Sequence, residues 1–117
     1  MPEIPKKSSV VMITSNGMSN AEPELSQLLL SNYLKLLIDE SLLPNAILFY
    51  GEGVKTVVEN SLFIASLQKL EQNGVKLIVC KTCLNFYDLL DKIKVGNIGS
   101  MADIVHYQWN VDKVITL

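Results

Sequence analysis

Cysteine, histidine, surplus positive charge and long apolar runs are all scarce in this chain of 117 residues, and each shortage narrows what it can be. The two cysteines, Cys80 and Cys83, stand three positions apart and cannot staple distant parts of a fold, as a secreted disulfide scaffold requires. A reducing compartment and a reactive or metal-binding pair are therefore expected. Against the metal, a structural zinc site wants four ligands, and the chain adds only His106, distant in sequence, to the two thiols. No metal and no cofactor is expected.

Net charge is −2 and the ten Lys and Arg side chains are scattered, so no cationic field exists to collect phosphates and nucleic acid is excluded as a partner. Apolar runs such as Leu28 to Leu30 and Leu36 to Ile38 are broken by Ser31, Asn32 and Lys35, far short of the ~20 residues a membrane span needs. The opening Met1 to Lys7 is charged but leads into no apolar signal region, which makes a soluble, cytoplasmic protein the expectation. The glycine loops lack the GxGxxG and GxxxxGK[ST] spacings, so neither a dinucleotide site nor a P-loop is indicated.

What is present is the balance of a globular domain, with 49% hydrophobic and 19% charged residues. One domain over 1–117 is expected, with 1–7 as a flexible lead. Short β-branched runs at 9–14, 46–50, 75–79 and 113–117 predict strands covered on both faces, and 95–98 a short edge strand. Between them, helices are expected from Asn20, as a cap, to about Glu40, from Thr56 to Gln72, from Cys83 to about Lys92, and from a Ser100-Met-Ala-Asp103 capping box to about Trp109. On this pattern Asp88, Asp91 and Lys92 fall on a solvated helix face. Alternating strands and helices with crossover-length connections predict an α/β protein, a three-layer α/β/α sandwich with a mainly parallel sheet of about five strands. The first helix carries more leucine than one sheet contact uses, which points to a homo-oligomer.

In a parallel sheet the loops leaving the carboxyl ends of the strands gather on one edge, where ligands of open α/β folds bind. Those loops offer Asn16 and Gly17, then Gly53 and Lys55, then Cys80, Lys81, Thr82 and Cys83. Only the last carries strong nucleophiles. A thiol at a helix amino terminus meets unpaired N–H groups and the positive dipole end, which favour thiolate, and Lys81 or a converging Lys55 adds positive charge. Cys83, one turn on, has the reach to resolve an adduct on Cys80 by forming an internal disulfide. The competing reading is packing, because free cysteine is among the most buried residue types. A thioredoxin-like site is disfavoured because its CxxC opens the first core helix, whereas this one follows the third strand. His106 reads as a surface or packed residue.

Taken together, Val11 to Asn16, Gly53-Val-Lys55, Gly74 to Leu84, Lys94-Val-Gly96 and Met101 to Val105 resemble the DsrE/DsrF-like family, most closely the carboxyl-terminal domain of YedF-type selenium-metabolism proteins. The resemblance implies a five-stranded α/β/α fold, oligomers, and a cysteine that accepts sulfur as a persulfide from a small carrier protein. Cys80 matches that cysteine and Cys83 the second cysteine of the YedF-type pattern. Lys81 stands where that pattern has glycine, and with no amino-terminal carrier domain the donor is expected on a separate chain. The expected function is thus a sulfurtransferase-like protein holding sulfur, or selenium, on Cys80 with help from Cys83. Asn16, Gly17, Gly53, Lys55, Lys81 and Thr82 line the site in this reading. The alternative is a non-catalytic oligomeric binding or assembly module with a redox-sensitive CxxC.

Overall fold

The structure, a computed structural model, describes residues 8–117; the lead assigned to 1–7 lies outside the described residues. The β-branched runs pair as five parallel strands, β1 (Ser9–Ile13), β2 (Ala46–Phe49), β3 (Lys76–Cys80), β4 (Asn97–Gly99) and β5 (Lys113–Thr116), in the order β4-β3-β2-β1-β5. The unbroken apolar character of β1 and β2 reflects burial on both faces, with every residue from Val10 to Ile13 and from Ala46 to Phe49 buried.

Four α-helices, α1 (Pro23–Asp39), α2 (Ile64–Gln72), α3 (Lys81–Phe86) and α4 (Met101–Asn110), and a 3-10 segment over Gly51–Val57 connect the strands. Right-handed crossovers put α1 and α2 on one face, where they pack together, and the long return from β4 to β5 carries α4 to the other. Leu30, Leu34 and Leu37 of α1, Leu67 and Leu70 of α2, Leu84 of α3 and Ile104 of α4 are the residues each helix sinks into the core. Fully burying one such side chain stabilises the fold by about 1.5–3 kcal/mol. The three-layer α/β/α sandwich is therefore present, and among the described residues no helix is long and apolar enough to cross a membrane.

Three helix boundaries differ from the sequence expectation, each for a local reason. α1 starts at Pro23 after Glu22, while Asn20 stays in the exposed loop, because the proline needs no N–H partner in the first turn. The stretch from Thr56 does not continue as one helix. Val58 leaves in an extended conformation to bridge Ile93, and Asn60 at φ 69° turns the chain, so α2 begins only at Ile64. α3 begins before Cys83 and ends at Phe86, well short of Lys92. Asp88 sits at φ 56°, and Asp88, Asp91 and Lys92 belong to the turn after the helix, not to a helical face.

Candidate functional site

Because β1, β2 and β3 are neighbours pointing one way, their exit loops lie side by side at one edge of the sheet. Cys80 is the last residue of β3 and the N-cap residue of α3, with extended backbone and no side-chain cap bond. Leu84, fully buried one turn later, pins α3 to the core and so fixes where Cys83 projects. Both cysteines are free thiols, and their side chains lie within hydrogen-bonding reach of each other. They differ in access. Cys80 is only 1% exposed, whereas Cys83 is half-buried and reaches the surface.

The 3-10 segment leaving β2 completes the site. Gly51 adopts φ 59°, a left-handed conformation that glycine takes without strain, and its N–H donates to Cys83 Sγ at 3.1 Å. Two residues on, Gly53 is buried where a Cβ would overlap the Ile13 carbonyl oxygen at the end of β1. The close approach of this segment to β1 therefore requires glycine there, and it sets the height at which Gly51 crosses toward α3. Burial pushes the Cys83 thiol up from the ordinary cysteine range; the Gly51 N–H bond opposes that shift, and the neighbouring Cys80 adds to it.

The other candidate residues are distributed around this core. Lys55 pairs with Glu52 at 3.3 Å and lies 4.7 Å over the ring of Tyr87, whose own N–H bonds the Cys83 carbonyl at 3.2 Å. It thus converges on α3, at the carboxyl end of that helix. Lys81 and Thr82 are exposed in its first turn. Asn16 is exposed and Gly17 buried in a loop that folds back onto α1, where Met18 N–H donates to the Ser26 carbonyl at 3.0 Å and Ser26 Oγ–H returns to the Met18 carbonyl at 3.0 Å. His106 lies on the exposed side of α4, with Asn110 one turn away at 3.3 Å from its Nδ1. Two participants were missed from sequence, the Gly51 amide and Tyr87. A glycine directly after an apolar strand beside a CxxC loop was the available signal for the first; Tyr87 left none.

The arrangement can hold an anionic sulfur: one thiol enclosed, one at the rim, and a backbone amide aimed at the latter. The model of the DsrE/DsrF-like family matches residues 8–117. No curated protein matches the chain. Among solved structures, the YchN protein of E. coli superposes with a TM-score of 0.68 at 18% identity, covering 94% of this chain and 99% of that one. The protein of unknown function MTH1491 from Methanobacterium thermoautotrophicum gives a TM-score of 0.70 at 20% identity, over 96% of this chain and 100% of its own. BT1422 from Bacteroides thetaiotaomicron, likewise of unknown function, gives 0.67 at 16% identity, over 94% of each. At these identities the three structures speak for the fold alone.

Proposed function

The chain belongs to the DsrE/DsrF-like family, which is associated with sulfur relay, and from that premise we propose that it is a sulfurtransferase-like protein: it accepts sulfane sulfur as a persulfide on Cys80, assisted by Cys83, and hands it on. The observation that carries this reading is the pair of reduced thiols in mutual reach at the carboxyl edge of the sheet, with the Gly51 amide donating to one of them. Such transfer needs a sulfur nucleophile, a neighbour able to take over the displaced bond, and a donor group for the anion. An enclosed Cys80 suits storage, since a buried persulfide is shielded from solvent thiols.

The proposal extends to a separate small sulfur-carrier protein as donor, to the cytoplasm as location, and to a homo-oligomer, for which the exposed Leu25, Leu28, Leu29 and Leu36 of α1 are the support. The YedF-type likeness extends it to selenium, whose adduct on a thiol forms by the same displacement.

The test is intact-mass measurement after incubation with glutathione persulfide. Wild type gains one sulfur atom that peptide mapping assigns to Cys80 after equilibration, and a C80S/C83S double variant gains none. A wild-type chain that never gains sulfur sinks the proposal. One observation favours a second reading, a non-catalytic module with a redox-sensitive CxxC: Cys80 has almost no exposure. That module oxidises to an internal disulfide and takes up no sulfur.

A further inference from the structure

The two thiols differ in a way that orders them. Cys80 closes β3 and is enclosed on all sides, so an incoming group, above all one carried on another protein, cannot reach its sulfur in this conformation. Cys83 sits one helical turn out, half-buried, with its sulfur already accepting the Gly51 N–H at 3.1 Å. The cysteine that matches the family pattern is thus behind its neighbour. Resting on the persulfide reading above, we infer that Cys83 is the entry thiol and Cys80 the storage thiol: an incoming persulfide meets Cys83 first, with the Gly51 amide holding the anion, and the sulfur then moves one step inward.

Both steps balance without an oxidant or reductant. In the first, the Cys83 thiolate attacks the outer sulfur of a persulfide, R–S–SH. A new S–S bond forms on Cys83 as the donor's S–S bond breaks, and the donor leaves as the thiolate R–S⁻. In the second, the Cys80 sulfur attacks the same outer sulfur. The Cys83 S–S bond breaks, the persulfide passes to Cys80, and the Cys80 proton passes to the Cys83 sulfur it displaces. The sulfane sulfur keeps its oxidation level throughout. Gly51 N–H has a role in both steps, since Cys83 bears negative charge before the first and develops it during the second. Burial holds a proton on Cys83 beyond the ordinary cysteine range, so the first step keeps speeding up as pH rises past that range.

The experiment is a pulse of glutathione persulfide, acid quench and peptide mapping on the full chain. In wild type the added sulfur appears on Cys83 at early times and on Cys80 later. C80S still takes up sulfur and keeps it on Cys83, and C83S takes it up at least about tenfold more slowly than wild type. A C83S variant that loads Cys80 at the wild-type rate overturns the entry assignment while leaving the relay itself standing. Absence of sulfur from wild type and both variants overturns the relay, and the entry assignment with it. Iodoacetamide on unsubstituted protein avoids any folding defect of the variants: Cys83 is alkylated at least about tenfold before Cys80, and Cys80 reacting first overturns the assignment.

Discussion

Two strands of the sheet run straight into a helix, β3 into α3 at Cys80 and β4 into α4 at Ser100, and the two junctions are built by different means. At Ser100 the chain closes its own helix start. The Ser100 hydroxyl accepts from the Asp103 N–H at 3.3 Å, and the Asp103 carboxylate accepts from the Ser100 N–H at 2.8 Å. At Cys80 there is no side-chain cap and no acidic residue in the first turn, and the helix that follows is six residues long. A helix that short has no stability of its own. α3 is held instead by tertiary contacts: Leu84 in the core, the 51–57 segment alongside, and Lys55 over Tyr87. The junction that holds the thiols therefore depends on its neighbours, and the other is secured locally. The thiol at the first junction stands where a capping oxygen would otherwise secure the helix, so helix stability and the proposed sulfur chemistry compete for one residue.

The largest effect that distinguishes the junctions comes from removing their anchors. Leu84→Ala and Ile104→Ala each delete a fully buried side chain, and each should lower the free energy of unfolding by about 3 kcal/mol in urea titrations. Their consequences at the thiols should diverge. With Leu84 gone, nothing local keeps α3 in register, and alkylation of Cys83 in the folded protein should change several-fold; with Ile104 gone, α4 retains its capping box and Cys83 alkylation should stay within about twofold. Equal disturbance of Cys83 by both substitutions breaks the comparison.

The same contrast explains what was readable in the amino-acid sequence. Ser100-Met-Ala-Asp103 predicted the start of α4 correctly because a capping box is a local device, written in four consecutive residues. The β-branched runs at Val10 to Ile13 and Ala46 to Phe49 were legible for the same reason, period and composition being local too. The start of α3 was placed at Cys83 rather than Lys81 because nothing in the sequence caps it. The break before α2 was missed because Val58 leaves the helix to meet Ile93, a residue far along the chain. Within the site, the CxxC spacing was visible, and the unequal enclosure of its two sulfurs was not. Burial of Cys80 depends on how β3 sits between β2 and β4, and the Gly51 bond depends on Gly53 fitting over Ile13.

A smaller effect isolates the local device. Ser100→Ala removes the hydroxyl of the box and should destabilise the chain by about 1 kcal/mol without altering Cys83 reactivity. The box also has a pH signature. The Ser100 N–H, and after it the Ser100 hydroxyl, hold the Asp103 carboxyl below the usual carboxylate range. A group whose folded pKa is lowered contributes stability in full above the ordinary aspartate range, and loses it as pH falls through the lowered folded value. Acid titration of stability should therefore be shallower in Ser100→Ala than in wild type across that interval. Identical profiles would mean that the Ser100 hydroxyl contributes nothing to holding the Asp103 carboxyl down in solution, the Ser100 N–H being present in both.

The smallest effect tests whether the first junction can be secured locally, and what that does to the thiols. Lys81→Glu places an acidic side chain in the first turn of α3, which has none, where it meets the positive end of the helix dipole. Lys81 is exposed and makes no ion pair among the described residues, so the substitution should stabilise the fold by only about 0.3–1 kcal/mol at low salt, the smaller figure applying as salt rises. The same charge opposes a second anion nearby. Replacing a cation with an anion at the start of α3 disfavours thiolate on the sulfurs of this turn, so persulfide uptake should slow even as stability rises. Stability and sulfur uptake moving in opposite directions is the result that ties the missing cap to function. If both rise together, the bare start of α3 is an accident of sequence and the chemistry at Cys80 and Cys83 owes nothing to it.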